Sequence, residues 1–156
     1  MHDANSTVTG AIEQAILSSP SIAEACVIGI PDAMKGHLPF AFISPSDAAT
    51  GSSDTLPACP PEKIFKEING NVREQIGAIA SLGGVIQGRG IIPKTRSGKT
   101  LRRVLRELVE NAVVGEYDKE VNVPATVEDR NVVEVARGVV REFFEGGGMR
   151  GGKSKL

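Results

Sequence analysis

Ala25-Cys26-Val27-Ile28-Gly29-Ile30-Pro31-Asp32 is the stretch around which this chain is organised. It is a short apolar, β-branched run closed by Pro-Asp, the pattern of a buried strand and its turn. Across a loop containing Lys35-Gly36, Pro39-Phe40-Ala41-Phe42-Ile43 reads as the antiparallel partner. Upstream, Ile12, Ala15 and Ile16 have helical spacing and Pro20 ends the pattern. That helix is expected to begin near Gly10, with the Glu13 carboxylate meeting the free amides of its first turn. Residues 44–61, rich in Ser, Pro, Gly, Ala and Asp, read as a long loop.

Downstream, Pro60-Pro61 open a helix whose face carries Ile64, Phe65, Ile68, Val72, Ile76 and Ile79. Gly83-Gly84-Val85-Ile86-Gln87 predicts a third strand. Leu101, Val104, Leu105, Leu108 and Val109 fall at i, i+3, i+4, i+7 and i+8, an amphipathic helix. A last helix is predicted over 128–145. The elements sum to an α+β domain: a small, mostly antiparallel three-stranded sheet flanked by helices, with an extra C-terminal helix.

Composition narrows the function classes. The 156 residues are 40% hydrophobic and 24% charged, ordinary values for a globular domain with a real core. Net charge is -1, aromatics are 4% and Trp is absent, which argues against a nucleic-acid partner. No segment has transmembrane length, so no membrane partner is expected. Cys26 and Cys59 make no disulfide or metal pattern, and Cys26 reads as a buried small hydrophobe. His2 and His37 suggest no ligand site, so no metal site is predicted in the chain. Gly146 to Lys153 is a glycine-rich, flexible stretch ahead of Ser154-Lys155-Leu156, a peroxisomal targeting tripeptide. The expected address is the peroxisome matrix through an import receptor, with the cytoplasm as the alternative.

Positive charge is concentrated in Pro93-Lys94-Thr95-Arg96-Ser97-Gly98-Lys99-Thr100-Leu101-Arg102-Arg103, followed by Arg106 with no acidic residue between. Ser97-Gly98 predicts a turn where backbone can approach a ligand. Lys99 is expected at the N-terminus of the following helix, whose free amides attract anions. Cations in a first helical turn oppose the macrodipole at ~0.3–1 kcal/mol each, so an anion is expected there. With one glycine at the wrong spacing, the run is not a phosphate-binding P-loop. Taken alone, it is an anion-facing loop.

The same eleven residues resemble the C-terminal signature of the acyl-adenylate-forming enzymes, most closely the short-chain acetyl- and propionyl-CoA synthetases. The likeness extends to Gly10-Ala11-Ile12-Glu13, to Val27 through Asp32 with Lys35-Gly36 and Pro39, to Val72 through Gly77, and to Pro124 through Asp129. It implies a truncated linker at 1–8, an AMP-binding enzyme C-terminal domain at 9–127, a helical extension at 128–145 and a flexible tail at 146–156. In that family an acid and ATP give an acyl-adenylate and pyrophosphate, and CoA then takes the acyl group. The resemblance makes Lys99 the adenylation lysine, gives Gly98 the role of keeping its approach open, and places Arg73 at the nucleotide phosphate of CoA.

ATP, CoA and a short-chain carboxylic acid are the implied substrates, with magnesium accompanying ATP on an N-terminal adenylation domain that the chain lacks. The family's Gly-His-Arg-type hinge stretch is absent near Ala4-Asn5-Ser6, and the loop at 44–61 is longer than the family's. The chain is therefore expected to be part of an acid-thiol ligase and inactive by itself. The alternative is a free-standing, non-catalytic domain that binds CoA or a protein.

Overall fold

The computed structural model describes residues 4–32, 36–46, 58, 60, 62–77 and 82–146. Lys35, Cys59, Ile79 and the Ser154-Lys155-Leu156 tripeptide lie outside them. The elements run α1 (Ala4–Leu17), β1 (Ile22–Asp32), β2 (Gly36–Pro45), α2 (Glu62–Gln75), β3 (Gly84–Gln87), α3 (Arg102–Val113) and α4 (Arg130–Glu145). The sheet order is β1-β2-β3. β1 and β2 pair antiparallel with Cys26 opposite Phe42 and Ile28 opposite Phe40. β3 pairs parallel to β2, with Val85 opposite Ala41 and Ile86 opposite Phe42. The sheet is thus mostly antiparallel with one parallel edge, which α2 makes possible by carrying the chain back as a crossover.

Alternation along the strands sends side chains to two separate cores. Cys26, Ile28, Phe40, Phe42 and Ile86 face α3 and α4, which contribute Val104, Leu105, Leu108, Val133, Val140 and Phe143. Val27, Ala41, Ile43 and Val85 face the other way, onto Ile12, Ala15 and Ile16 of α1 and Ile64, Ile68 and Val72 of α2. With helices on both faces, the strands are apolar throughout rather than alternating apolar and polar. This is why Ala25 to Ile30 reads as an unbroken run. β3 starts at glycines because Phe40 lies against its backbone: a Cβ on Gly84 would come within 2.7 Å of that ring.

Three boundaries differ from the sequence reading. α1 starts at Ala4 rather than near Gly10. Glu13 therefore sits deep inside the helix, and its carboxylate does not serve the first turn. α2 stops at Gln75, and Gly77 follows with φ +123°, a left-handed conformation that suits glycine after a helix. α4 begins at Arg130, two residues after the predicted start: the Asp129 side chain accepts from Asn131 N–H at 2.9 Å, and Val133, Ala136, Val140 and Phe143 bury one face.

Cys26 is fully buried, as expected of a small hydrophobe. Burial, reinforced by the nearby Glu13 carboxylate and opposed by Arg102, pushes its thiol up from 9.0 to about 12. A thiol raised on folding stabilises the native state fully below its unfolded value, and that contribution is lost as pH rises through its folded one. Stability should therefore fall between 9.0 and about 12, and Cys26→Ala should flatten that fall. Native Cys26 should resist alkylation at about pH 8, because the thiolate is the reactive form. Peptide mass mapping checks this, and labelling as fast as in urea would contradict it.

Candidate functional site

The cationic run folds as a small hairpin rather than as the first turn of a helix. Lys94 and Thr100 face each other across its two arms. Thr95 N–H donates to the Lys99 carbonyl at 2.8 Å, and Leu101 N–H donates to the Pro93 carbonyl at 2.9 Å. The tip is closed by Gly98 N–H donating to the Thr95 carbonyl at 2.9 Å and by Lys99 N–H donating to Thr95 Oγ1 at 3.1 Å. Gly98 has φ +92°, so the turn needs its left-handed conformation. A Cβ there would meet nothing within 4 Å, so the constraint on Gly98 comes from the backbone and not from crowding.

Lys99 thus lies on the returning arm, exposed, ahead of α3. The expectation that it opens the helix is corrected. Helix geometry begins at Arg102, and Leu101 occupies the N-cap without a side-chain cap. Thr95 explains the difference: its amide and hydroxyl both bind the returning arm, and this holds Lys99 in the hairpin.

The cations of the run divide by partner. Lys94 Nζ sits 2.8 Å from Glu24 Oε2 on β1. Arg102 grips Glu13 through Nε and Nη2 at 2.6–2.9 Å. The Glu13 carboxylate, one-tenth exposed, also accepts from Val27 N–H at 2.8 Å. The side-chain hydrogen bonds from Arg102 to Glu13 raise the Arg102 pKa further, so the guanidinium stays charged. Two of the cations expected to meet an external anion are therefore neutralised within the fold. Arg96, Lys99, Arg103 and Arg106 are exposed, and no ion pair joins them to the described residues.

Arg73 lies in the last turn of α2 and is exposed. α2 packs on one face of the sheet, while the hairpin leads into α3 on the other. Gly98 and Lys99 are neighbours in the hairpin, and Arg73 lies on a different element. Among the described residues no group of three or more His, Cys, Asp or Glu side chains could hold a metal ion.

Residues 11–99 match the AMP-binding enzyme C-terminal domain family. This chain belongs to that family. The domain is 34% identical over 132 residues to the acetyl-coenzyme A synthetase of Pyrobaculum arsenaticum, an alignment covering 85% of this chain and 17% of the relative. It is 37% identical over 141 residues to that of Campylobacter jejuni subsp. jejuni, covering 88% and 19%. In fold it superposes on the acetoacetyl-CoA synthetase of Streptomyces lividans with a TM-score of 0.59, at 21% identity, covering 84% of this chain and 17% of that one. The chain thus spans under one-fifth of the length of these much longer synthetases.

Sequence reasoning missed the Glu13–Arg102 pair and the Lys94–Glu24 pair. A signal for the first was present: a carboxylate among Ile12, Ala15 and Ile16 must find a partner if it is buried. Removing the carboxylate should be costly, since it leaves the Val27 amide and one side of Arg102 without an acceptor. Glu13→Ala is expected to lower the unfolding free energy by about 2–3 kcal/mol, less than a fully buried pair because Arg102 is half exposed. Urea denaturation measures it, and a loss below about 0.5 kcal/mol, the scale of an ordinary surface change, would show that the pair is no tether.

Proposed function

We propose that this domain supplies the adenylation lysine of an ATP-dependent, short-chain acyl-CoA synthetase. The observation that carries the reading is the division of charge in the hairpin. Lys94 and Arg102 have carboxylate partners within the fold, whereas Lys99 is held exposed on the returning arm, next to the tip, with none among the described residues. Its ammonium is available to a ligand bound elsewhere.

Brought against an ATP and carboxylate pocket, the Lys99 ammonium lies where negative charge from the carboxylate and the α-phosphate would otherwise repel. The carboxylate oxygen attacks the α-phosphorus, the bond to pyrophosphate breaks, and an acyl-adenylate forms. Lys99 lowers the barrier by neutralising charge in the transition state and takes no proton. A compact ammonium on a flexible stem suits this task better than a planar guanidinium. The CoA sulfur then attacks the acyl carbonyl and expels AMP. Arg73 would bind the nucleotide phosphate of CoA during that half-reaction. Magnesium would travel with ATP and be held by the adenylation domain, which also supplies the acid pocket.

The 156-residue chain is expected to release no pyrophosphate from ATP by itself, because a lone lysine lacks the pocket that positions the reactants. Joined to an adenylate-forming N-terminal domain, it should regain acid-dependent pyrophosphate release. Lys99→Ala should then reduce adenylation by about 10²–10³-fold, the usual scale for one electrostatic group. Arg73→Ala should raise KM for CoA and leave adenylation unchanged. Adenylation at the parental rate with Ala at position 99 would remove Lys99 from the chemistry.

The terminal Ser154-Lys155-Leu156 supports a peroxisomal address for this enzyme. A fluorescent protein ending in residues 146–156 should collect in peroxisomes. Retention in the cytosol would set that address aside.

A further inference from the structure

The family match ends at Lys99, yet the backbone of the lysine hairpin is completed by residues beyond it. Thr95 faces Val127 in an antiparallel bridge. The two flanking bonds are both present: Arg96 N–H donates to the Thr126 carbonyl at 3.1 Å, and Glu128 N–H donates to the Lys94 carbonyl at 2.8 Å. The first arm of the hairpin is thus bridged on both sides, each by an isolated antiparallel bridge. Its inner edge pairs with the arm that carries Lys99, and its outer edge pairs with Thr126 to Glu128.

We infer that Thr126–Glu128 is a positioning element for Lys99. A two-stranded hairpin with a short turn is at best marginally stable in water, and a third strand gives it order. The Thr126–Glu128 segment is itself anchored on both sides. Before it, Val121 and Val123 pack against the core that contains α3 and α4. Within it, Val127 is 5% exposed. After it, Asp129 caps α4, whose Val133, Ala136, Val140 and Phe143 are buried in the same core. The tether therefore runs from the core, through α4 and this segment, to the arm next to Lys99. With the backbone held, only the torsions of the lysine side chain remain free, so less order has to be imposed when the ammonium meets its ligand.

The inference rests on the reading of Lys99 as the working residue, but its test uses neither ATP nor catalysis. A failed clamp and a failed assignment of Lys99 therefore appear in different experiments. Amide hydrogen exchange and backbone relaxation on the full 156-residue chain provide the readout. The Arg96 and Glu128 amides should be protected together, and Lys99 should show the order of a structured residue. Glu128→Pro deletes the donor to Lys94 at a position just outside α4, and Glu128→Ala keeps it.

Proline should speed exchange at Thr95 and Arg96 by about tenfold or more and lower the order of Lys99, while core amides such as Leu105 keep their protection. Alanine should leave all of these unchanged. Free exchange of Arg96 and Glu128 in the unmodified chain, with Leu105 protected, would overturn the proposal without any variant. Equal Arg96 exchange in the folded proline and alanine forms would overturn it as well.

Discussion

The buried carboxylate of Glu13 is the interaction on which the arrangement of this domain depends. It comes from the middle of α1, accepts the Val27 amide of β1 and holds Arg102 at the start of α3. Three elements that share no local sequence meet at one charged group. Burying a carboxylate is costly, and it is tolerated only where donors surround it. Here the acceptor sites are filled by a guanidinium and a backbone N–H. The same group answers two further needs. It gives the amide of Val27, on the edge strand of the sheet, a partner within the fold. It also places negative charge beside the first turn of α3, where it offsets the helix macrodipole and compensates for the missing side-chain cap at Leu101.

That pairing also changes how the cationic run is understood. Lys94 ties the base of the hairpin to β1 and Arg102 ties its end to α1, so both are structural. Their neutralisation brackets the exposed tip. Arg96 and Lys99 remain, on a backbone closed by Thr95. The local excess of positive charge in the sequence overstates what is available to a ligand. The cations available to a ligand are those with no carboxylate partner among the described residues.

The fold was legible where apolar periodicity is local. The β1–β2 hairpin, α2, α3 and α4 each carry their pattern in consecutive residues, and Asp129 stands where an N-cap belongs. Interactions between distant positions were not legible. Glu13 and Arg102 are 89 residues apart, and a Glu three residues after Gly10 imitates a capping residue of a helix that in fact began earlier. β3 reads as a strand, but its parallel pairing follows from the crossover and not from its own residues. Lys99 lies in the cationic turn, but its secondary structure was misread. Gly98 followed by an amphipathic pattern looks like a helix start. The deciding contacts come from the Thr95 hydroxyl and from the segment 126–128, which only the folded chain brings near.

The separation of Arg73 from Lys99 constrains any mechanism built on this domain. Arg73 rides on α2, packed on one face of the sheet, while Lys99 leads into α3 on the other. Both helices are fixed to the sheet by buried apolar residues, so their relation cannot change without opening a core. A rigid body of this kind offers a pocket one of its faces at a time. If both residues serve one active site, they reach it from separate elements whose relation is fixed. Each group is held stiffly on its own element. The deep seating of Val72 beside Arg73 and the backbone bridges around Lys99 provide that stiffness.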